Sequence, residues 1–255
     1  MIILLSPAKT LDFESALPGI GFTFPRFEKE AGQLAFALRK LNEDKLSKLL
    51  DISPKLAQLN VERYRQWNTD ANLAARRPAI LAYKGDVYEG LQAHSMQHDD
   101  LQFAQNHLRI LSGLYGLLRP FDLIQPYRLE MSTALGYGKA KDLYAFWNNR
   151  IYEALREDLE TQAVPLLINL ASQEYAKSVN FKKLKHRVIS PEFKDAKDGS
   201  YKMISFFAKR ARGLMASWII RNRIEDPLAL ITFSDEGYVY NAKLSSEDKP
   251  VFTRG

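Results

Sequence analysis

Several short apolar runs in the sequence end in residues that can hold or move charge. Ile2–Leu5 runs into Ser6, Pro7, Ala8, Lys9 and Thr10, and Ala79–Tyr83 runs into Lys84, Gly85 and Asp86. Pro165–Leu170 carries Asn169 and continues to Ser172, Glu174, Tyr175 and Lys177, while Tyr201–Phe207 contains Ser205 and leads to Lys209. Lysines in such places hold anionic groups, and Asp86 and Glu174 are suited to acid–base work on what the lysines hold. In open α/β sheets, ligands bind beyond the carboxyl ends of the strands. If these runs are parallel and adjacent strands, Lys9, Lys84, Asp86, Glu174 and Lys209 converge on one crevice. Each residue also has an ordinary reading as a cap or turn; Ser172, for example, is a good helix N-cap.

Charge is unevenly placed around these residues. The 255 residues carry 36 Lys and Arg against 30 Asp and Glu, a net +6. Between Lys177 and Arg223 stand 13 cations and three acids, a local +10 that leaves −4 for the remainder. A field of one sign attracts polyanions, so Lys177, Lys182, Lys183, Lys209, Arg210 and Arg212 are candidate anion contacts. A helix is expected over Lys209–Arg223, with Phe207, Ala211, Leu214 and Trp218 as its apolar stripe. Its opposite side carries Gly213, Ala216 and Ser217 between cations, which admits either a phosphate chain or another packed element. Lys209 and Arg210 then fall in the opening turn, where the helix dipole disfavours cations unless an anion is bound.

The stretch Leu108–Met131 is dense in special residues. Gly113 and Gly116 allow turns or close packing. Arg109, Arg119 and Arg128 offer forks suited to bidentate phosphate contact, with Glu130 a partner for Arg128. A helix, a glycine-containing hairpin and a second helix would make a unit that grips a DNA backbone without reading sequence. Leu17–Gly21 is closer to the usual hairpin consensus, but no helix precedes it and it reads as a surface loop.

Other chemistry is excluded by composition. With no cysteine, thiol peroxidase chemistry, disulfides, Cys-ligated zinc and Cys-ligated iron–sulfur clusters are ruled out. No Walker A, complete GxGxxG, GxSxG or HExxH pattern occurs. His94 and His98 have the spacing of a helical metal pair but read equally well as solvated surface. Trp67, Trp147 and Trp218 lie on apolar faces and read as core. No metal or cofactor is expected. The longest apolar run, Val164–Ala171, is too short to span a bilayer. Met1–Leu5 reads as a strand, not a signal peptide, so a cytoplasmic protein without membrane partners is expected.

The elements that must position these residues alternate along the chain. Helices are expected at Glu28–Leu41, Asp44–Leu49, Pro54–Trp67, Asp99–His107 and Asp142–Leu159, the last the clearest amphipathic one. Strands are expected at Ile2–Leu5, Ala79–Tyr83, Leu108–Leu111, Pro165–Leu170, His186–Phe193 and Tyr201–Phe207, with short ones near Ile231–Phe233, Tyr238–Tyr240 and Val251–Thr253. The mixture predicts an α/β or α+β fold, one compact domain over residues 1–255 with a mixed β-sheet surrounded by helices.

Five segments together resemble the YaaA family: Ser6–Asp12, Lys84–Tyr88, Leu108–Met131, Ile168–Ser172 with Glu174 and Tyr175, and Ile204–Met215. The resemblance covers nearly the whole chain in order. It implies a cytoplasmic bacterial protein that protects against peroxide damage, is linked to limiting free iron, and binds DNA through a positively charged cleft and a helix-hairpin-helix element. Carried onto this sequence, the cleft draws on Lys9, Lys84, Arg109 and the Lys209–Arg212 group, and Leu108–Met131 is the nearest hairpin. No catalytic assignment comes with it. Two readings of the crevice therefore stand. One is DNA binding, mostly to the backbone; the other is an enzyme acting on a nucleotide, nucleobase or phosphorylated metabolite, with Asp86 or Glu174 as acid or base. Direct iron sequestration is a third reading with little to support it.

Overall fold

A computed structural model describes all 255 residues. The chain begins in the middle of the molecule, where Ile2–Leu5 forms β1 and every residue is buried. A strand with no polar alternation suits a parallel sheet covered on both faces. β2 (Thr10–Leu11) and a loop lead to α1 (Glu28–Arg39), α2 (Glu43–Leu50) and α3 (Pro54–Gln66). Asn42 caps α2 by accepting the Lys45 N–H at 3.1 Å, and Ser53 caps α3, with Pro54 in its first turn. There follow β3 (Arg77–Pro78), α4 (Ala79–Ala82), β4 (Tyr83–Lys84), α5 (Asp86–Leu91), α6 (His98–His107), β5 (Leu108–Ser112), β6 (Gly116–Leu118) and β7 (Leu123–Ile124). The second half holds α7 (Leu143–Trp147), α8 (Arg150–Glu160), β8 (Leu166–Asn169), α9 (Gln173–Ala176), β9 (Arg187–Ile189), β10 (Glu192–Lys197), β11 (Ser200–Lys202), α10 (Ser205–Arg221), β12 (Val239–Tyr240) and β13 (Val251–Arg254).

The main sheet has five strands in the order β6-β5-β1-β8-β9. β1 runs parallel to β5 and β8, with Ile3 opposite both Leu108 and Ile168, and only β6 is antiparallel. A second sheet, β11-β10-β13-β12, has four strands. One contiguous hydrophobic cluster includes Ile3 and Ile168 of the first sheet, Met215 of α10, and Phe193 and Phe252 of the second. The α/β expectation is met, with two principal sheets where one mixed sheet was expected.

Five local expectations are corrected. Ala79–Ala82 is a helical turn flanked by two-residue strands, not a strand. The long amphipathic helix splits between α7 and α8 at Asn148, which takes φ 42° and ψ −119°. Asparagine tolerates positive φ, and two consecutive asparagines are poor helix formers. His186–Phe193 divides into β9 and β10 of different sheets, interrupted at Ser190 and Pro191, where the missing proline N–H cannot continue a ladder. α10 begins at Ser205, so Phe206 and Phe207 are helical despite their β propensity; burial of Ala208 and Ala211 outweighs it. The short strand expected at Ile231–Phe233 lies largely in a 3-10 segment, Pro227–Thr232.

Candidate functional site

Because β1 and β8 are adjacent and parallel, their carboxyl ends emerge side by side. The Ser172 N–H donates to Ser6 Oγ at 2.8 Å, and the two hydroxyls lie 3.3 Å apart. β2 pairs with β4 so that Thr10 faces Lys84, which sets the Ser6–Thr10 loop beside the start of α5. Gly85 joins β4 to α5 at φ 139° and ψ −177°, a conformation essentially open only to glycine. α10 then lies directly on α5. A Cβ on Gly213 would overlap the Val87 carbonyl, and one on Gly90 would overlap the Arg210 carbonyl. These facing glycines let the two backbones touch.

The elements enclose a cavity of ≈ 460 Å³. Its lining includes Ser6, Lys9, Thr10, Lys84, Asp86, Tyr127, Arg128, Glu130, Ser172, Glu174, Tyr175, Lys209 and Arg212. The five residues expected to converge, Lys9, Lys84, Asp86, Glu174 and Lys209, all reach it. They do so by a different route from the one expected: only β1 and β8 are neighbours in one sheet, while Lys84 comes from the β2–β4 ladder and Lys209 from α10.

The charges inside are unequally matched. Lys9 pairs with Glu130 at 2.8 Å, and Arg128 reaches the same carboxylate at 3.4 Å while its buried Nε has no partner. Glu174 accepts from the N–H and hydroxyl of Ser132 at 3.0 and 2.9 Å. Lys84, Lys209 and Arg212 make no ion pair, and the half-buried Asp86 carboxylate accepts no hydrogen bond. Burial holds the Arg212 guanidinium below its ordinary range, offset in part by attraction to Glu192. Under the cavity, the Tyr127 hydroxyl lies 2.6 Å from that of Tyr83 and 2.7 Å from that of Ser112. The Tyr88 hydroxyl donates to the Ser6 carbonyl at 3.0 Å. Burial pushes the Tyr127 phenol up to about 12 and raises those of Tyr83, Tyr88 and Tyr175, so this floor is neutral near pH 7.

A more open depression of ≈ 590 Å³ lies across α9 and is lined by Asn148, Asn149, Asn169, Gln173, Lys177 and Lys182, among others. Lys183 borders it, its Nζ donating to Asn149 Oδ1 at 3.2 Å. α9 separates the two hollows, with Glu174 and Tyr175 turned to one and Gln173 and Lys177 to the other.

Three predicted cations lie elsewhere. Arg109 is buried, with Nε 2.6 Å from Asp158 and Nη1 donating to the Gln105 and Leu108 carbonyls at 3.1 and 2.8 Å. Asp158 also takes Arg26 at 2.7 Å, so Arg109 belongs to an internal ion cluster. Arg119 closes on the buried Asp122 at 3.2 Å. Arg210 forks onto Glu236, with contacts of 2.6 to 3.1 Å. Because α10 starts at Ser205, Lys209 and Arg210 are outside its first turn, and the expected clash with the helix dipole does not arise. Gly213, Ala216 and Ser217 are buried against protein, so they offer no exposed track for phosphate.

Leu108–Met131 is not helical: it forms β5, β6 and β7, with β5 and β6 as an antiparallel hairpin. Its strand-forming Leu108, Ile110 and Leu111 are buried beside β1. His94 lies in a short 3-10 turn and His98 opens α6, so they do not share a helical face. α2 and α3, both expected from the sequence, are joined by a short turn of Asp51, Ile52 and Ser53. Asp51 stands at φ 51° and ψ 58°, and Lys45, Lys48 and Lys55 are exposed around the turn. The signal for the turn was the cap-plus-proline pair Ser53–Pro54 directly after an apolar helix end.

Residues 1–244 match the family model described as peroxide stress protein YaaA. A UPF0246 protein of Burkholderia orbicola is 52% identical over 256 residues, spanning all of this chain and 98% of its own length. UPF0246 proteins of Burkholderia cenocepacia and Burkholderia mallei are 51% identical over the same extent. No helix is long and apolar enough to cross a membrane.

Proposed function

The chain belongs to the family of the peroxide stress protein YaaA, and from that premise we propose that it protects DNA during peroxide stress by binding the phosphate backbone. The carrying observation is that Lys84, Lys209 and Arg212 line one cavity without carboxylate partners. Cations left unmatched by the fold are available to a polyanion, and a phosphate chain supplies what the interior does not. Lys177, Lys182 and Lys183 continue the basic tract across α9. The α2–α3 turn is a second backbone contact in this reading and takes the place first assigned to Leu108–Met131. Binding is mostly electrostatic and has little sequence preference. Covering DNA in this way limits iron-driven oxidation at its target, in a cytoplasmic setting.

A salt titration of duplex binding tests the reading. With four to six phosphates neutralised, log K against log salt falls with a slope of roughly −4 to −5. A flat line rejects it. Replacing Lys84 and Lys209 with Ala is expected to weaken all duplex sequences about equally.

The size of the cavity and the unengaged Asp86 favour one alternative, an enzyme acting on a nucleotide, nucleobase or phosphorylated metabolite. There Asp86 or Glu174 serves as acid or base. Asp86→Asn and Glu174→Gln variants separate the two: a binding protein keeps its protection of cells, and an enzyme loses it while keeping DNA affinity.

A further inference from the structure

The cavity at the carboxyl ends of β1 and β8 is too small for a duplex. Its ≈ 460 Å³ falls in the range of small-ligand sites and is large enough for a single nucleotide. Arg212 is half-buried there and unpaired. A guanidinium partly withdrawn from water is costly, and no carboxylate closes an ion pair with it, Glu192 attracting it only from beyond contact distance. The site therefore carries an unmet demand for a compact anion such as a phosphate, for which the planar fork of arginine is well matched. Close by, the unengaged Asp86 carboxylate and the Ser6 and Ser172 hydroxyls can accept from the N–H and O–H groups of a base and sugar.

A second feature lies just outside. Phe206, Lys209 and Arg212 follow one another at intervals of three along α10 and share a ridge of that helix. Lys209 and Arg212 line the cavity, and Phe206 lies about one turn before Lys209 on the same helix, its ring 5.6 Å from that of Phe207. Its side chain is 53% exposed, and Met203, just before the helix, is 59% exposed. Large apolar side chains beside a basic rim are what a protein uses to wedge a base step apart and fill the gap a displaced base leaves.

We infer that the cavity receives one nucleotide extruded from a DNA strand, its phosphate held by Arg212 with Lys84 and Lys209, while Phe206 and Met203 occupy the vacated stack. The inference rests on the DNA-binding reading for the strand, and on the cavity alone for the chemistry. No covalent step is involved.

Two measurements on the full-length protein test it. The first is calorimetric titration with deoxynucleoside monophosphates, deoxynucleosides and inorganic phosphate. The monophosphates are expected to bind at least tenfold more tightly than either fragment, and Arg212→Met to abolish the difference. Because Arg212 is unpaired without ligand, Arg212→Met is also expected to raise the unliganded Tm by about 2 °C; a purely structural arginine gives the opposite sign. Arg212→Lys, which retains charge without the fork, controls for misfolding and is expected to bind with intermediate affinity.

The second is the fluorescence of a duplex carrying one 2-aminopurine, which brightens when the base leaves the stack. Wild type is expected to brighten it at least threefold, and excess monophosphate to reverse the gain. Phe206→Ala is expected to lose most of the gain while keeping duplex affinity within threefold. Salt-dependent duplex binding without brightening overturns the extrusion and leaves the backbone reading standing. Monophosphate binding without any duplex binding overturns the backbone reading and extrusion together, since the nucleotide would then be a free one. Absence of monophosphate binding overturns the site itself.

Discussion

At the scale of single residues, what an arginine does here follows from whether the fold gives it a carboxylate. Arg109 and Arg212 look alike as isolated letters, yet the first closes an ion pair with Asp158 at 2.6 Å and the second closes none. Removing Asp158 strands two guanidiniums, Arg109 and Arg26, of which Arg109 is buried. Asp158→Ala is therefore expected to cost about 3 kcal/mol in a urea melt and to leave duplex affinity unchanged at temperatures where the variant is folded. A weaker duplex complex would return Arg109 to the binding surface. His107 makes a separate, pH-dependent contribution. Burial lowers its pKa below the ordinary 6.5, outweighing the bond between its ring nitrogen and the Met1 carbonyl at 2.9 Å. Its unfolded form thus takes up a proton first, so its contribution to stability is present above pH 6.5 and is lost as pH falls through the depressed value. Thermal melts between pH 7 and pH 5 should show Tm falling more steeply for wild type than for His107→Phe, which keeps the stack on Phe103. Equal slopes would assign the acid sensitivity elsewhere.

At the scale of elements, the decisive contact is between α5 and α10. Gly90 and Gly213 face each other's helix so closely that neither position has room for a methyl group. Gly213→Ala is expected to push α10 away from Val87, with a loss of roughly 2–3 kcal/mol from backbone displacement and overpacking. Lys209 and Arg212 move with the helix, so the variant should also bind duplex several-fold more weakly even where it is fully folded. Native affinity in a folded variant would mean that the cavity tolerates a shifted α10. The α2–α3 turn carries another expectation. Asp51 combines positive φ with a negative charge where a phosphate is proposed to sit. Asp51→Gly relieves both, and is expected to tighten duplex binding two- to threefold, or roughly 0.4–0.6 kcal/mol, in the same salt series. No tightening would remove this turn from the interface. Much of this level was legible in advance. Asn42 and Ser53 mark helix starts, and the unbroken apolar run Ile2–Leu5 marks a doubly covered strand. What misled was propensity without packing, as at Phe206 and Phe207, and periodicity carried through the Asn148–Asn149 break.

At the scale of the whole molecule, the +10 carried by Lys177–Arg223 is not one surface. Arg210 and Arg187 are spent on Glu236, Glu247 and Asp248; Arg223 is paired with Asp100 at 2.9 Å. The charge left over gathers at the cavity and across α9, where Lys177, Lys182 and Lys183 lie. Neutralising those three lysines together should flatten the salt dependence of duplex binding by roughly 2–3 units of slope, if each meets a phosphate. An unchanged slope would place the backbone path on another face. The sequence alone determined the central strand, most helix starts, the absence of thiol chemistry, and the resemblance to a peroxide-stress family. Those features rest on local pattern, composition or residue identity, which one chain displays directly. Only the tertiary structure decided which cations are free, that Leu108–Met131 is a buried hairpin of strands, and that the crevice has the size of a nucleotide. Those depend largely on partners remote in the chain, such as Asp158 for Arg109 and Val87 for Gly213. Distance along the chain carries no record of such pairings.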